Sequence, residues 1–279
     1  MAFRTLQFQG CRLGYRIEGQ GEPLVMIQGV AAFGLARVNP QLAILKQQYS
    51  CLSFDNRGCG ESQPASSSLT IDQMAQDTLA LMKAAGWTSA HIVGHSLGGM
   101  VALRMATIAR HQVRSLSLLC SFARPTRITP QLVWIGLRMK LGTRQMRREA
   151  FLELAVADKQ RQGNSEELLR QMSDVIGHDV ADLPAVANQQ ISAIGREDFT
   201  PHLAELAGIP TLVVNGTNDP VAPPLAGRAL AAGIPGARYV EIPGASHALP
   251  VLQARECADL VLEHLAAAER RHKPSINAP

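Results

Sequence analysis

Several features that would assign a chain of 279 residues quickly are missing here. There is no C-x-x-C pair: the 5 cysteines, Cys11, Cys51, Cys59, Cys120 and Cys257, are odd in number and scattered. That pattern argues against a disulfide framework or a zinc site and for free thiols in a reducing compartment. The segment around Arg4 and Arg12 has no continuous apolar stretch, so neither a signal peptide nor a membrane-spanning helix is expected, and a cytoplasmic location follows by elimination. Formal net charge is only +4, without a long basic tract, so neither nucleic acid nor a membrane surface is an expected partner. Metal-ligand spacing is lacking, as is a phosphate-binding G-x-G-x-x-G after the first parallel strand; no cofactor and no metal is expected.

What is present is an alternation of short apolar runs with helical patterns. Residues 3–8 and 12–18 alternate apolar and polar positions around Gln9-Gly10-Cys11, which suits an antiparallel hairpin at a sheet edge. Then come mostly apolar runs at 24–27, 51–54, 91–93, 113–120, 211–214 and 238–242. Segments of helical period separate most of them, at 41–48, 71–85, 100–110, 225–232 and 251–268. Such alternation predicts an α/β fold, a mostly parallel central sheet with helices on both faces. Thr70-Ile71-Asp72-Gln73 adds a capping-box pattern at a helix start.

The strongest local signal is Gly94-His95-Ser96-Leu97-Gly98-Gly99, placed between the apolar run 90–93 and a helical segment. A strand that reverses into a helix within two residues forces the central residue into a strained conformation and demands small neighbours two positions to either side. Gly94 and Gly98 hold those positions. Such an elbow lifts the Ser96 hydroxyl above the sheet edge, as acyl transfer requires. The string by itself fits a glycine-rich turn with a helix-capping serine equally well.

A base and an acid further along the chain shift the balance. A serine hydroxyl needs a base that takes its proton and later returns it to the leaving group. Of 8 histidines, His247 alone follows the last strand-like run within a glycine-rich turn, Pro243-Gly244-Ala245-Ser246-His247. His95 sits beside the serine and is expected to point back into the sheet, and His91 falls inside a strand. His111 and His264 lie at or on helices, while His178 and His202 fall in or near the insertion described below. Asp219, at the end of the run 210–218, is the carboxylate to hold the imidazole, chosen for its order and position. Asn-Asp-Pro is also ordinary turn chemistry.

The order serine, acid, histidine resembles that of the α/β-hydrolase fold family. Four motifs carry the resemblance over nearly the whole chain: Gln28-Gly29-Val30, the loop Asp55 to Ser62, the elbow, and the pair Gly216-Thr217-Asn218-Asp219 and Gly244-Ala245-Ser246-His247. The resemblance implies a Ser96, Asp219, His247 triad and hydrolysis of an ester, amide, lactone or carbon–carbon bond. It also implies an oxyanion hole from the backbone N–H groups of Val30 and Leu97. Many relatives have His-Gly where this chain has Gln28-Gly29, a departure that touches Val30 rather than Leu97. Asp55 and Arg57 are expected to organise their loop together. Serine at the elbow separates the chain from dehalogenases and epoxide hydrolases, which carry aspartate there.

Strand spacing breaks once, giving an expected core at 1–122 and 202–269, a helical cap at 123–201 inserted after the sixth strand, and a flexible tail at 270–279. Arg124 to Arg148 holds six arginines and lysines after Arg124 with no acid until Glu149, interleaved with apolar residues. It reads as an amphipathic helix pair with a solvated basic face and an apolar face over the site. Arg124 or Arg127 at its entrance is a candidate for holding a substrate carboxylate. The expected activity is that of a serine hydrolase working through an acyl-enzyme on a small, largely apolar carboxylic ester or lactone. Carbon–carbon hydrolysis, perhydrolysis and acyl transfer use the same residues, and a hydrolase-like small-molecule receptor is the alternative from another class.

Overall fold

The computed structural model describes residues 3–62, 69–161 and 164–272. Eight strands form one sheet: β1 (Arg4–Phe8), β2 (Cys11–Glu18), β3 (Glu22–Ile27), β4 (Tyr49–Phe54), β5 (Ala90–His95), β6 (Val113–Leu119), β7 (Thr211–Gly216) and β8 (Arg238–Ile242). Their spatial order is β1-β2-β4-β3-β5-β6-β7-β8. The pairs β1–β2 and β2–β4 are antiparallel; from β4 across to β8 the pairing is parallel. β3 and β5 to β7 are buried on both faces, which is why they read as continuous apolar runs.

Helices α1 (Pro40–Leu45), α2 (Ile71–Ala84), α3 (Leu97–Ile108), α9 (Pro224–Gly233), α10 (Leu249–Leu252) and α11 (Ala254–His272) cover the sheet, while α4 (Pro130–Leu141), α5 (Arg144–Ala155), α6 (Asp158–Arg161), α7 (Ser165–Ile176) and α8 (Val186–Ile194) lie between β6 and β7. α2 shows how pattern becomes packing. Thr70 Oγ1 accepts the Gln73 N–H at 3.1 Å, and Ile71, Met74, Ala75, Thr78, Leu81 and Met82 form one buried stripe. Each large apolar side chain on that stripe contributes about 1.5–3 kcal/mol by leaving water.

Three expectations change. The helical pattern at 251–268 is two helices, broken at Gln253, and α11 continues to His272. Arg270 to His272, placed in the expected tail, are therefore helical, and residues 273–279 lie outside the described residues. The basic run at 124–148 has partners: Arg138 pairs with Glu153 at 2.9 Å, Arg144 with Asp182 at 2.7 Å and Arg148 with Asp179 at 2.6 Å. Those acids come from later in the insertion, beyond the reach of a local reading. Finally, α4 packs chiefly against α5 and buries only Ile135, leaving Val133, Trp134, Leu137 and Leu141 exposed instead of turned over the site.

Candidate active site

The loops after β5, β7 and β8 converge at the carboxyl end of the sheet. Ser96 adopts φ +53 and ψ −116, a region that costs about 1–3 kcal/mol for a residue with a side chain. The turn is held by its surroundings. Ser96 N–H donates to Leu119 O at 2.9 Å, and its carbonyl accepts both Gly99 N–H at 2.9 Å and Ser121 Oγ at 2.8 Å. The flanking glycines are sterically required. A Cβ on Gly94 would lie 2.3 Å from Gly98 O, and one on Gly98 would lie 2.1 Å from Ile27 O.

His247 links the hydroxyl to the carboxylate. Its Nε2 lies 3.0 Å from Ser96 Oγ and its Nδ1 lies 2.8 Å from Asp219 Oδ2. A carboxylate only accepts, so Nδ1 carries the proton and Nε2 is left as an acceptor for the serine hydroxyl. Asp219 Oδ1 in turn accepts the N–H groups of Val221 and Ala222 at 2.8 and 2.9 Å, which fixes the carboxylate. The two loops are laced together: Asn218 N–H donates to Ala245 O at 2.9 Å, and Ser246 Oγ to Asn218 O at 3.1 Å. From the insertion, Ala155 O accepts Ala248 N–H at 2.8 Å.

His95 does not point back into the sheet as expected. Its ring lies 5.1 Å from that of His247, and its Nε2 is 3.1 Å from His247 O, so Nε2 donates. Burial, with the neighbouring His247, lowers its pKa to about 3 and keeps it neutral. Arg57 also departs from expectation. It pairs with Asp77 at 2.9 and 2.5 Å in a fully buried fork, whereas Asp55 accepts the N–H groups of Leu35 and Glu61 at 2.9 and 2.8 Å. Asp55 and Arg57 therefore organise the loop by separate contacts. Arg124 and Arg127 are exposed.

The N–H groups of Val30 and Leu97 make no hydrogen bond to any described residue, and Leu97 opens α3, where first-turn donors are free by geometry. Gly29 packs against the elbow; a methyl there would sit 3.2 Å from His95 Nδ1 and 3.3 Å from Ser96 Cβ. None of the five cysteines is in a disulfide, and all are buried. Burial pushes Cys51, Cys59 and Cys257 up to about 12 and Cys120 well upward, so none of these four competes with the serine as a thiolate. Among the described residues one set of possible metal donors converges, His95, Cys120 and His247, within 4.8 Å. Both ring nitrogens of His247 are already committed to Asp219 and Ser96, which makes this a packing cluster around the histidine. Among the described residues no helix is long and apolar enough to cross a membrane.

A sequence profile of the α/β hydrolase fold matches residues 22–252. The chain belongs to the α/β-hydrolase fold family. It is 26% identical over 238 residues to a protein of Azorhizobium caulinodans named for carbamate hydrolysis, covering 85% of this chain and 88% of that one. It is 27% identical over 253 residues to one of Mycobacterium tuberculosis named for non-heme bromoperoxidation, covering 84% and 90%. Among solved structures, the enol-lactonase of Burkholderia xenovorans superposes with a TM-score of 0.80 at 26% identity, over 94% of this chain and all of that one. The family fixes the architecture, while the chemistry is argued from the site.

Proposed function

We propose that this α/β hydrolase is a serine hydrolase that forms an acyl-enzyme on a small, largely apolar carboxylic ester or lactone. The observation that carries the reading is the pair of bonds Ser96 Oγ to His247 Nε2 at 3.0 Å and His247 Nδ1 to Asp219 Oδ2 at 2.8 Å, beneath a serine held in strain. His247 takes the hydroxyl proton as Ser96 Oγ bonds to the substrate carbonyl carbon. Asp219 stabilises the imidazolium, and the Val30 and Leu97 N–H groups receive the oxyanion. His247 then gives the proton to the leaving alkoxide, and a water activated by the same imidazole releases the acid. In a lactone the alkoxide stays tethered to the acyl group, and the steps are otherwise identical.

The likeness to an enol-lactonase and to a protein named for carbamate hydrolysis supports the same class, since ester, lactone and carbamate all present a carbonyl to the serine. An apolar preference is supported by the insertion packing its apolar side chains at the histidine loop: Leu152, Ala155 and Val156 form a buried cluster with Ala248, the residue after His247. On this reading residues 123–201 act as a cap. The test is pre-steady-state turnover of p-nitrophenyl acetate, butyrate and octanoate, with the intact mass of the quenched protein. A burst and an acyl adduct in the wild type, both absent in Ser96→Ala, are expected, with kcat falling at least about 10³-fold. Equal turnover by Ser96→Ala would sink the mechanism.

A further inference from the structure

Ala31 follows directly on Val30 and has φ +62, a left-handed conformation that an alanine does not hold by preference. Something outside the turn holds it there. Both of its backbone groups are bonded to side chains from the helical insertion. Gln190, fully buried on α8, accepts the Ala31 N–H through Oε1 at 2.8 Å, and its Nε2 faces Cys59 Sγ at 3.6 Å. An N–H needs an acceptor, which fixes which way the amide of Gln190 faces. On the other side His178 Nε2 lies 3.0 Å from the Ala31 carbonyl and its Nδ1 2.9 Å from the Asp179 carbonyl, and the tautomer with its proton on Nε2 donates to Ala31.

The insertion grips the same turn at a third point. Phe33 N–H donates to Ile176 O at 2.9 Å, and the His178 ring lies 5.0 Å from that of Phe33. Gly177, at φ +89, permits this approach, since a Cβ there would come within 2.8 Å of the Phe33 side chain. Among the described core residues, the side-chain bond to this turn is that of Asn56 Nδ2 to Gln28 O, at 3.2 Å. Rotation about the Val30 backbone, which would re-aim its N–H, would also disturb the Gln190 and His178 contacts to Ala31.

We infer that Gln190 and His178 are positioning residues that set the direction of the Val30 N–H, so that the oxyanion hole is complete only when the insertion is seated. This rests on the proposed role of Val30 as an oxyanion donor. A bond that merely glued the insertion to the core would weaken substrate binding and stability alike. A positioning bond lowers kcat while KM holds.

The experiment compares wild type, Gln190→Leu, Gln190→Glu, His178→Phe and Ser96→Ala in p-nitrophenyl butyrate kinetics, in affinity for a trifluoromethyl ketone, and in amide hydrogen exchange at residues 28–33. Leucine keeps the volume and removes the acceptor, and glutamate restores an acceptor. Expected for Gln190→Leu is a kcat about tenfold lower with KM within about twofold. The ketone, whose adduct places an oxyanion in the hole, weakens in proportion to kcat/KM. Exchange at Ala31 quickens, and Gln190→Glu regains most of the loss. His178→Phe keeps the ring against Phe33 and shows the same changes to a smaller degree; it serves if Gln190→Leu does not fold. Unchanged kcat in a folded variant, or a lower kcat with unchanged exchange at 28–33, overturns the inference. If Ser96→Ala turns over like the wild type, it is the serine mechanism that fails, and the exchange comparison alone decides whether the insertion holds the turn.

Discussion

The imidazole of His95 donates to the carbonyl of His247, the residue that bridges Ser96 and Asp219, across 3.1 Å. The residue before Ser96 thus holds the backbone of His247, and elbow and histidine loop form one unit. Replacing His95 by Phe removes the donor and keeps an aromatic ring beside His247. A kcat about tenfold lower is expected from the loosened histidine. Because burial holds His95 near 3, its titration supplies no limb of a pH–rate profile above about pH 5. The variant should therefore keep the wild-type limb positions, and a shifted limb would refute this account.

Ser96→Gly separates stability from activity. Glycine occupies φ +53 without a Cβ penalty, so relief of strain outweighs its larger entropy loss on folding. The expected outcome is unfolding in urea at a higher midpoint, by about 1 kcal/mol, together with loss of acyl transfer. Ser96→Ala retains the Cβ and should not gain this stability.

The Arg57–Asp77 fork is a structural ion pair with both side chains removed from water. Burial pushes the Asp77 carboxyl upward while Arg57 pulls it down, so Arg57→Met leaves a buried carboxyl without its cation. A loss of about 3–5 kcal/mol is expected. The double variant Arg57→Met, Asp77→Leu should recover most of it, as chemical denaturation of the four proteins of the cycle will show.

Stability should also fall in acid through a buried histidine far from the site. Desolvation lowers His264 to about 4 from an ordinary 6.5. Between those values the unfolded chain binds more protons than the folded one, so stability rises with pH and is lost as pH drops below about 6.5. The slope from this group is at most about 1.4 kcal/mol per pH unit. His264→Gln should flatten urea-derived stability between about pH 6 and 4 by up to that amount. Identical slopes in the two proteins would exclude the assignment.

Much of the architecture was legible because it rests on local chemistry. The buried parallel strands are apolar runs, and the elbow glycines announce a turn in which no Cβ fits against Gly98 O or Ile27 O. The partners of Ser96 were readable from chain order and turn composition. What stayed hidden depends on approach in space. Nothing in the sequence around Ala31 signals a left-handed residue, since glycine and asparagine are the usual markers, and its holders His178 and Gln190 lie 147 and 159 residues away. Arg57 did have a readable partner. Asp77 falls beside the apolar stripe of α2, and a carboxylate on the buried face of a helix signals a cation opposite.

Ser96 and His247 are separated by 151 residues, and His247 follows β8, which pairs with β7 at the edge of the sheet. During synthesis the chain exposes its serine long before the histidine leaves the ribosome. On the proposed mechanism, until that edge strand docks the nascent protein carries the Ser96 hydroxyl without the imidazole that takes its proton. On that mechanism hydrolytic competence is expected late and all at once, so a turnover assay on a refolding sample should read the docking of the final strand, whereas circular dichroism registers the sheet that precedes it.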